Sequence, residues 1–227
     1  MMVELFAVRI EQRIREVDLT SLIEQVSAAR QAQIKRYRFQ DDAIRSLFSE
    51  LLIRRVLREK YNIDNDDIVF SFNKYGKPTI VGPIEQQYNV SHAGSWIVGA
   101  ISGQSVGIDV EAIKPIDMAV AHRFFSPVEC GQLAELTPEQ QQIRFYELWT
   151  LKESYIKAVG KGLSIPLNSF SFRFQSDEGT YGLKADNGDD DYAIRQFDLD
   201  SDYRLALCSK EREINSRIQH WSTSDWL

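Results

Sequence analysis

The residues best suited to chemistry lie in two short stretches, Gly107-Ile108-Asp109-Val110-Glu111 and Trp149-Thr150-Leu151-Lys152-Glu153-Ser154-Tyr155-Ile156-Lys157. In the first, apolar Ile108 and Val110 alternate with carboxylates, which is a strand pattern. Alternate side chains of a strand share a face, so Asp109 and Glu111 point to the same side. The second stretch reads as a helix, where positions four apart stack in one stripe: Trp149, Glu153 and Lys157. Three carboxylates beside a lysine suit a hard divalent cation that also holds a phosphate. Mg²⁺ takes few protein carboxylates, keeps waters and completes its octahedron with phosphate oxygens. Each stretch also has a plain reading: a solvated strand face in one case, a surface Glu–Lys pair in the other.

The elements that must position these residues form two similar runs. In the first run, residues 3–10 alternate as a strand. Ser21-Leu22-Ile23-Glu24 forms a capping box that opens a helix to about residue 36. A longer helix covers about residues 40–60, with Ala43, Leu47, Leu51 and Val56 near helical spacing. Residues 67–72 read as a strand, 74–78 as a Gly-Pro turn, and 87–90 and 96–102 as strands around a turn at 91–95. The second run starts at Ser105 with the Asp109 strand. Ser126-Pro127-Val128-Glu129 and Thr137-Pro138-Glu139-Gln140 are capping boxes with Pro at the first helical position. The helix begun by the second box runs through Lys157 and stops at Gly160-Lys161-Gly162. Strands follow at 170–174, 181–184, 192–197 and 204–208, with an acidic turn at 186–191. The pattern predicts an α+β protein of pseudo-twofold, two-half architecture. Each half, residues 1–103 and 104–227, packs one long helix on a small antiparallel sheet, and the cleft between them is a natural small-molecule site.

Composition removes several classes. The chain has 227 residues, 43% of them hydrophobic, enough for a substantial core. No apolar run reaches membrane-spanning length, and Met1-Met2-Val3-Glu4 does not open a signal peptide, so a cytoplasmic protein without a membrane partner is expected. Cys130 and Cys208 read as two thiols in a reducing compartment. There is no zinc spacing, Walker loop or Gly-x-Ser-x-Gly elbow. A net charge of −6 argues against a nucleic-acid partner.

Gly-Ile-Asp-Val-Glu followed about forty residues later by Trp-Thr-Leu-Lys-Glu-Ser resembles the signature of the 4′-phosphopantetheinyl transferases, most closely the long, monomeric surfactin-type subfamily. The resemblance extends through Tyr75-Gly76-Lys77-Pro78, Asn89-Val90-Ser91-His92-Ala93-Gly94, Arg123-Phe124-Phe125-Ser126 and Gly160-Lys161-Gly162-Leu163-Ser164, all in family order. It implies transfer of phosphopantetheine from coenzyme A to a carrier-protein serine, with coenzyme A in the cleft between the halves. It further implies that Asp109, Glu111 and Glu153 ligate Mg²⁺, that Glu153 or a water it holds is the base, and that Lys157 holds a pyrophosphate oxygen. His92 is expected at the 3′-phosphate with Ser91 beside it, on a Gly-containing turn, and Lys77 near the adenine or the same phosphate. Arg45 aligns with a basic position that pairs with phosphate, or is an exposed helix cation. Lys152 is either a second phosphate contact or a surface charge. Relatives often carry two basic residues three apart on the first helix; this chain has Arg30 but Gln33, with Lys35 and Arg36 nearby. Trp149 is expected in the core beneath the site. Met118, Phe124 and Leu133 are candidates for an apolar carrier contact or for ordinary burial. The expected partners are acyl or peptidyl carrier proteins of peptide, polyketide or fatty-acid synthases, as in antibiotic biosynthesis. Two rival readings are a metal-dependent hydrolase of the coenzyme A pyrophosphate and a non-catalytic carrier-protein or coenzyme A binding module.

Overall fold

The computed structural model describes residues 2–11, 16–82, 84–176, 179–186 and 188–227. Alternation of side chains across strands builds its centre. In β1 (Val3–Arg9), Phe6 and Val8 face one apolar cluster, while Val3, Leu5 and Ala7 face another. A strand buried on both faces belongs to the middle of a layered molecule. β1 pairs antiparallel with β5 (Trp96–Ser102), which pairs antiparallel with β4 (Gln87–Ala93). A second sheet has the order β6-β10-β9-β8-β7. Its strands are β6 (Val106–Ala112), β7 (Phe170–Ser176), β8 (Thr180–Ala185), β9 (Ala193–Phe197) and β10 (Tyr203–Ser209).

The two sheets pack face to face. Val3, Leu5, Ala7, Val98 and Ala100 of the first meet Ile108, Val110, Leu205 and Leu207 of the second. The outer face of the first sheet is covered by α3 (Gln40–Tyr61), through Leu47, Phe48, Leu51 and Leu52. The outer face of the second is covered by α6 (Pro138–Val159), through Leu148, Leu151, Tyr155 and Ile156. The mixed α/β character with antiparallel sheets agrees with the sequence reading.

Capping chemistry sets the helix ends. α5 (Pro127–Ala134) and α6 both open with the expected reciprocal boxes, Ser126 with Glu129 and Thr137 with Gln140, and α6 ends at Gly160 with φ +76°. A short α4 (Ala119–Phe124) precedes α5.

Four expectations need correction. The single helix at 21–36 is two helices, α1 (Glu16–Ile23) and α2 (Ala28–Ile34), with Ser21 inside α1 rather than capping it. The break falls where Ser27 Oγ accepts from Arg30 N at 3.2 Å, while Ser27 N donates to Glu50 Oε1 at 2.6 Å. A serine so satisfied competes with the helical ladder. The strand expected at 67–72 is β2 (Val69–Phe72), and it forms a hairpin with β3 (Pro78–Val81). Residues 91–93 are strand, not turn, so Ser91 and His92 point to opposite faces of β4. Finally, β11 (Ile214–Ser222) was not anticipated, and it lies parallel to β1 at the edge of the first sheet. Its exposed Ser216, Arg217, Gln219 and His220 give it little apolar alternation. Trp221 near its end and Trp226 beyond it flank the Arg55 guanidinium at 4.9 and 4.7 Å from their ring centres. No helix among the described residues is long and apolar enough to cross a membrane.

Candidate active site

The site forms where the end strand of the first sheet, β4, meets the end strand of the second, β6. β4 and β6 run side by side, and Ile108 N donates to the side-chain Oδ1 of Asn89 at 2.9 Å. Two residues further along β4 and one further along β6, Ser91 Oγ donates to Asp109 Oδ1 at 2.8 Å. On the other side of β4, Tyr88, Val90 and His92 line a cavity of about 640 Å³. Arg30 and Gln33 of α2 line it too, with Phe70, Phe72, Gly76 and Pro78 of the β2–β3 hairpin.

α6 is pressed onto β6 at Gly107. A Cβ there would sit 2.1 Å from Ser154 O and 2.3 Å from Ala158 N, so only glycine permits this approach. The close crossing delivers Lys157 to Asp109. Its Nζ donates to Asp109 Oδ1 at 2.6 Å, Ser91 Oγ at 2.9 Å and Ile108 O at 3.3 Å, using all three donors. Asp109 is 3% exposed, and its second oxygen, Oδ2, is buried without a hydrogen-bond partner.

Glu111 and Glu153 complete the acidic group. Burial, then Asp109, push the Glu111 carboxyl up to about 7, with Glu153 adding to the rise while Lys157 and Lys114 oppose it. Burial and then Asp109 raise the Glu153 carboxyl as well, against Lys157. His92 is exposed at its edge, but partial desolvation, followed by the Arg45 and Lys157 cations, lowers its pKa. Arg45 donates to Asp42 Oδ1 at 2.6 Å and to Gly94 O at 3.1 Å, tying α3 to the turn after β4. Arg30 is gripped by Glu50 Oε2 at 3.2 Å, Ser46 Oγ at 2.8 Å and Gln33 Oε1 at 3.0 Å. Thus Ser91, Asp109 and Lys157 touch. Glu111, Glu153, His92 and Arg45 surround them electrostatically, and Arg30 stands on the far wall of the cavity.

Two lysines have their ammonium groups committed to partners within the protein. Lys152 is neither a surface charge nor a phosphate contact. It is fully buried, paired with buried Glu129 at 2.8 Å, and donates to Leu167 O and Phe170 O, both at 2.8 Å. Its position one residue before Glu153 turns it inward to the core, where a charge persists only when paired. Lys77 does not line the cavity, although Gly76 and Pro78 do. Its Nζ donates to Ala158 O at 2.9 Å and Val106 O at 3.1 Å. Leu133 is 4% exposed and belongs to the core; Trp149 is half-buried and packs against that core, stacked on Phe145 and edge-on to Phe124.

Sequence reasoning also missed structural supports of the site. Asn89 lay within a quoted motif, but its role in joining two sheets needs their proximity. Glu50 links Arg30 and Arg54, yet only its spacing of four from Arg54 was visible.

The acidic group suits a hard divalent cation. The orphaned Asp109 Oδ2 and the raised Glu111 carboxyl mark a place short of positive charge. Among the described residues, no group of three or more His, Cys, Asp or Glu side chains is drawn together closely enough to hold a metal ion unaided. That is compatible with a Mg²⁺ that takes most of its ligands from phosphate and water.

Comparison with known proteins identifies the family. Residues 105–208 match the model of the 4′-phosphopantetheinyl transferase superfamily, and residues 14–104 match that of the 4′-phosphopantetheinyl transferase N-terminal region. A 4′-phosphopantetheinyl transferase of Bacillus subtilis is 40% identical over 194 residues, covering 86% of each chain. The 4′-phosphopantetheinyl transferase Sfp of Bacillus subtilis strain 168 is 36% identical, covering 89% of this chain and 90% of that one. The gsp transferase of Aneurinibacillus migulanus is 38% identical, covering 92% and 86%. With family models matching residues 14–104 and 105–208, and relatives 36% and 40% identical over most of the chain, the chain belongs to the surfactin-type 4′-phosphopantetheinyl transferases.

Proposed function

We infer that this enzyme transfers the 4′-phosphopantetheine arm of coenzyme A to a serine of an apo carrier protein and releases 3′,5′-ADP. The observation that carries the reading is the convergence of Ser91, Asp109 and Lys157 from β4, β6 and α6, in a chain of this family. Asp109, Glu111 and Glu153 are the proposed Mg²⁺ ligands. When bound, Mg²⁺ would neutralise pyrophosphate charge and the charge developing on the leaving group. Lys157 supplies a point charge to a pyrophosphate oxygen, exchanging part of its hold on Asp109 for phosphate. His92, with Ser91 beside it, and Arg45 bind on the phosphate side, and Arg30 completes the far wall. Glu153, or a water it holds, accepts the serine proton. The serine oxygen forms a bond to the β-phosphorus as the bond to the 3′,5′-ADP oxygen breaks, with attack and departure in line.

The finer architecture belongs to the same proposal. Residues 1–103 and 104–227 act as pseudo-twofold halves, the first contacting the nucleotide and the second carrying the metal and catalytic groups. In support, each sheet is backed by one helix of 22 residues. The return of β11 to the first sheet is an exchange between the halves. The enzyme works as a cytoplasmic monomer on acyl or peptidyl carrier proteins. The test incubates the protein with coenzyme A, Mg²⁺ and a panel of apo carriers and follows carrier mass. A gain of one phosphopantetheine, abolished when the acceptor serine is replaced, is expected. Release of 3′,5′-ADP without any carrier gain would replace transfer by pyrophosphate hydrolysis.

A further inference from the structure

The β2–β3 hairpin forms a wall of the cavity, yet it is a two-stranded sheet, and such a sheet is marginal by itself. Its base is held by the first half. Arg54 Nη2 donates to Ile68 O at 3.4 Å, and the Phe70 and Tyr88 rings meet with centres 5.4 Å apart. Its tip reaches the other half. Asn73 Oδ1 accepts from Tyr75 N at 2.8 Å and Lys77 N at 2.9 Å, which shapes the turn. The same side chain then donates from Nδ2 to Gly160 O at 2.8 Å. Lys77 adds its two bonds, to Ala158 O at the end of α6 and to Val106 O at the start of β6.

These acceptors are well chosen physically. The carbonyls of the last helical turn have no partner within the helix, and the helix dipole places negative charge there. Asn73 and Lys77 satisfy two carbonyls at the end of α6. Gly160 makes the approach possible: a Cβ on it would lie 2.8 Å from Lys77 Cδ and 3.4 Å from Asn73 Nδ2. The glycine that stops α6 is therefore also the seat of the hairpin tip. Ala158 follows Lys157 directly, and Val106 stands three residues before Asp109.

We propose that Asn73 and Lys77 are positioning residues that latch the hairpin across the cleft, holding the cavity wall in register with Lys157 and Asp109. The proposal rests on the transferase reading for its consequence but not for its geometry. It also gives Lys77 a role distinct from a phosphate contact. A phosphate contact is lost only with ligands that carry the phosphate, whereas a displaced wall weakens every ligand of the cavity.

The test compares the wild type with Lys77→Met, which keeps the stem over Gly160, and Asn73→Asp, which keeps the turn acceptor but removes the donor to Gly160. Affinities for coenzyme A and 3′-dephospho-coenzyme A are measured by calorimetry. Amide hydrogen exchange is followed over residues 69–81 and at the end of α6. The latch predicts that Lys77→Met weakens both ligands by the same factor, about tenfold, on the scale of one charged hydrogen bond. Exchange in the hairpin rises while that of β9 and β10 stays unchanged, and the double variant loses little more than the worse single one, because both bonds serve one contact. Loss confined to coenzyme A, or hairpin exchange equal to that of the wild type, would overturn the latch. Should the wild type transfer nothing to any carrier, the transferase reading fails, and faster hairpin exchange in the variants would still uphold the latch.

Discussion

Replacing Asp109 by Asn separates the charge of this side chain from its shape. Asp109 Oδ1 accepts from Lys157 at 2.6 Å and from Ser91 at 2.8 Å, and an amide oxygen can keep both bonds. What the fold loses is the charge-assisted part of one ion pair, whose lysine is a quarter exposed at 26% and can relax toward solvent. That loss amounts to about 1–2 kcal/mol, a small part of the roughly 5–15 kcal/mol that holds a domain together. For a chain of this size it lowers Tm by about 2–8 °C. Activity should respond differently. The amide puts a nitrogen where buried Oδ2 now stands without a partner, and it removes one of three carboxylates proposed to hold Mg²⁺. Transfer should fall about 10²-fold or more, the usual scale for a main electrostatic stabiliser. Unfolding cannot account for that loss, because 1–2 kcal/mol leaves nearly all molecules folded. The assay pairs single-turnover transfer to an apo carrier with thermal melting followed by circular dichroism. A well-folded Asp109→Asn that transfers at the wild-type rate in limiting Mg²⁺ would refute the electrostatic role. A Tm drop far beyond this range would refute the stability argument.

Three further outcomes are expected. Lys152→Met strands the buried Glu129 charge and should cost about 3–5 kcal/mol in urea unfolding, while adding Glu129→Gln recovers part of that; no recovery would mean the pair is not the source. Gly107→Ala drives a methyl into the backbone of α6 and should cost about 3 kcal/mol or more, with transfer lost even in the folded fraction; a mild melt would show that α6 can shift cheaply. His92→Ala should weaken coenzyme A by about tenfold or more and 3′-dephospho-coenzyme A little, and equal losses measured by calorimetry would remove His92 from the 3′-phosphate.

Local patterns in the sequence carry their own physics, and these were legible. The alternation around Asp109 fixed a strand with Asp109 and Glu111 on one face, because side-chain direction in a strand depends on the backbone alone. The two Pro-bearing capping boxes and Gly160 marked the ends of α5 and α6, because caps satisfy helix-end groups within a few residues. The order of the motifs was enough to suggest the family. Only the tertiary structure decided which way a charge faces and what it meets. Lys152 and Glu153 are neighbours on one helix, yet one is sealed in the core with Glu129 and the other faces the site, a choice made by the packing of α5 and β7. Lys77 lies in a motif that suggests a nucleotide contact, but its ammonium found backbone carbonyls 29 and 81 residues away in the chain. β11 gave almost no periodic signal because an exposed edge strand buries little, and its place was settled by the pairing edge that β1 left open. The sequence alone determined the chemical groups and their local spacing. The folded chain decided their partners, since burial and long-range contact energies depend on distances between residues that no short pattern contains.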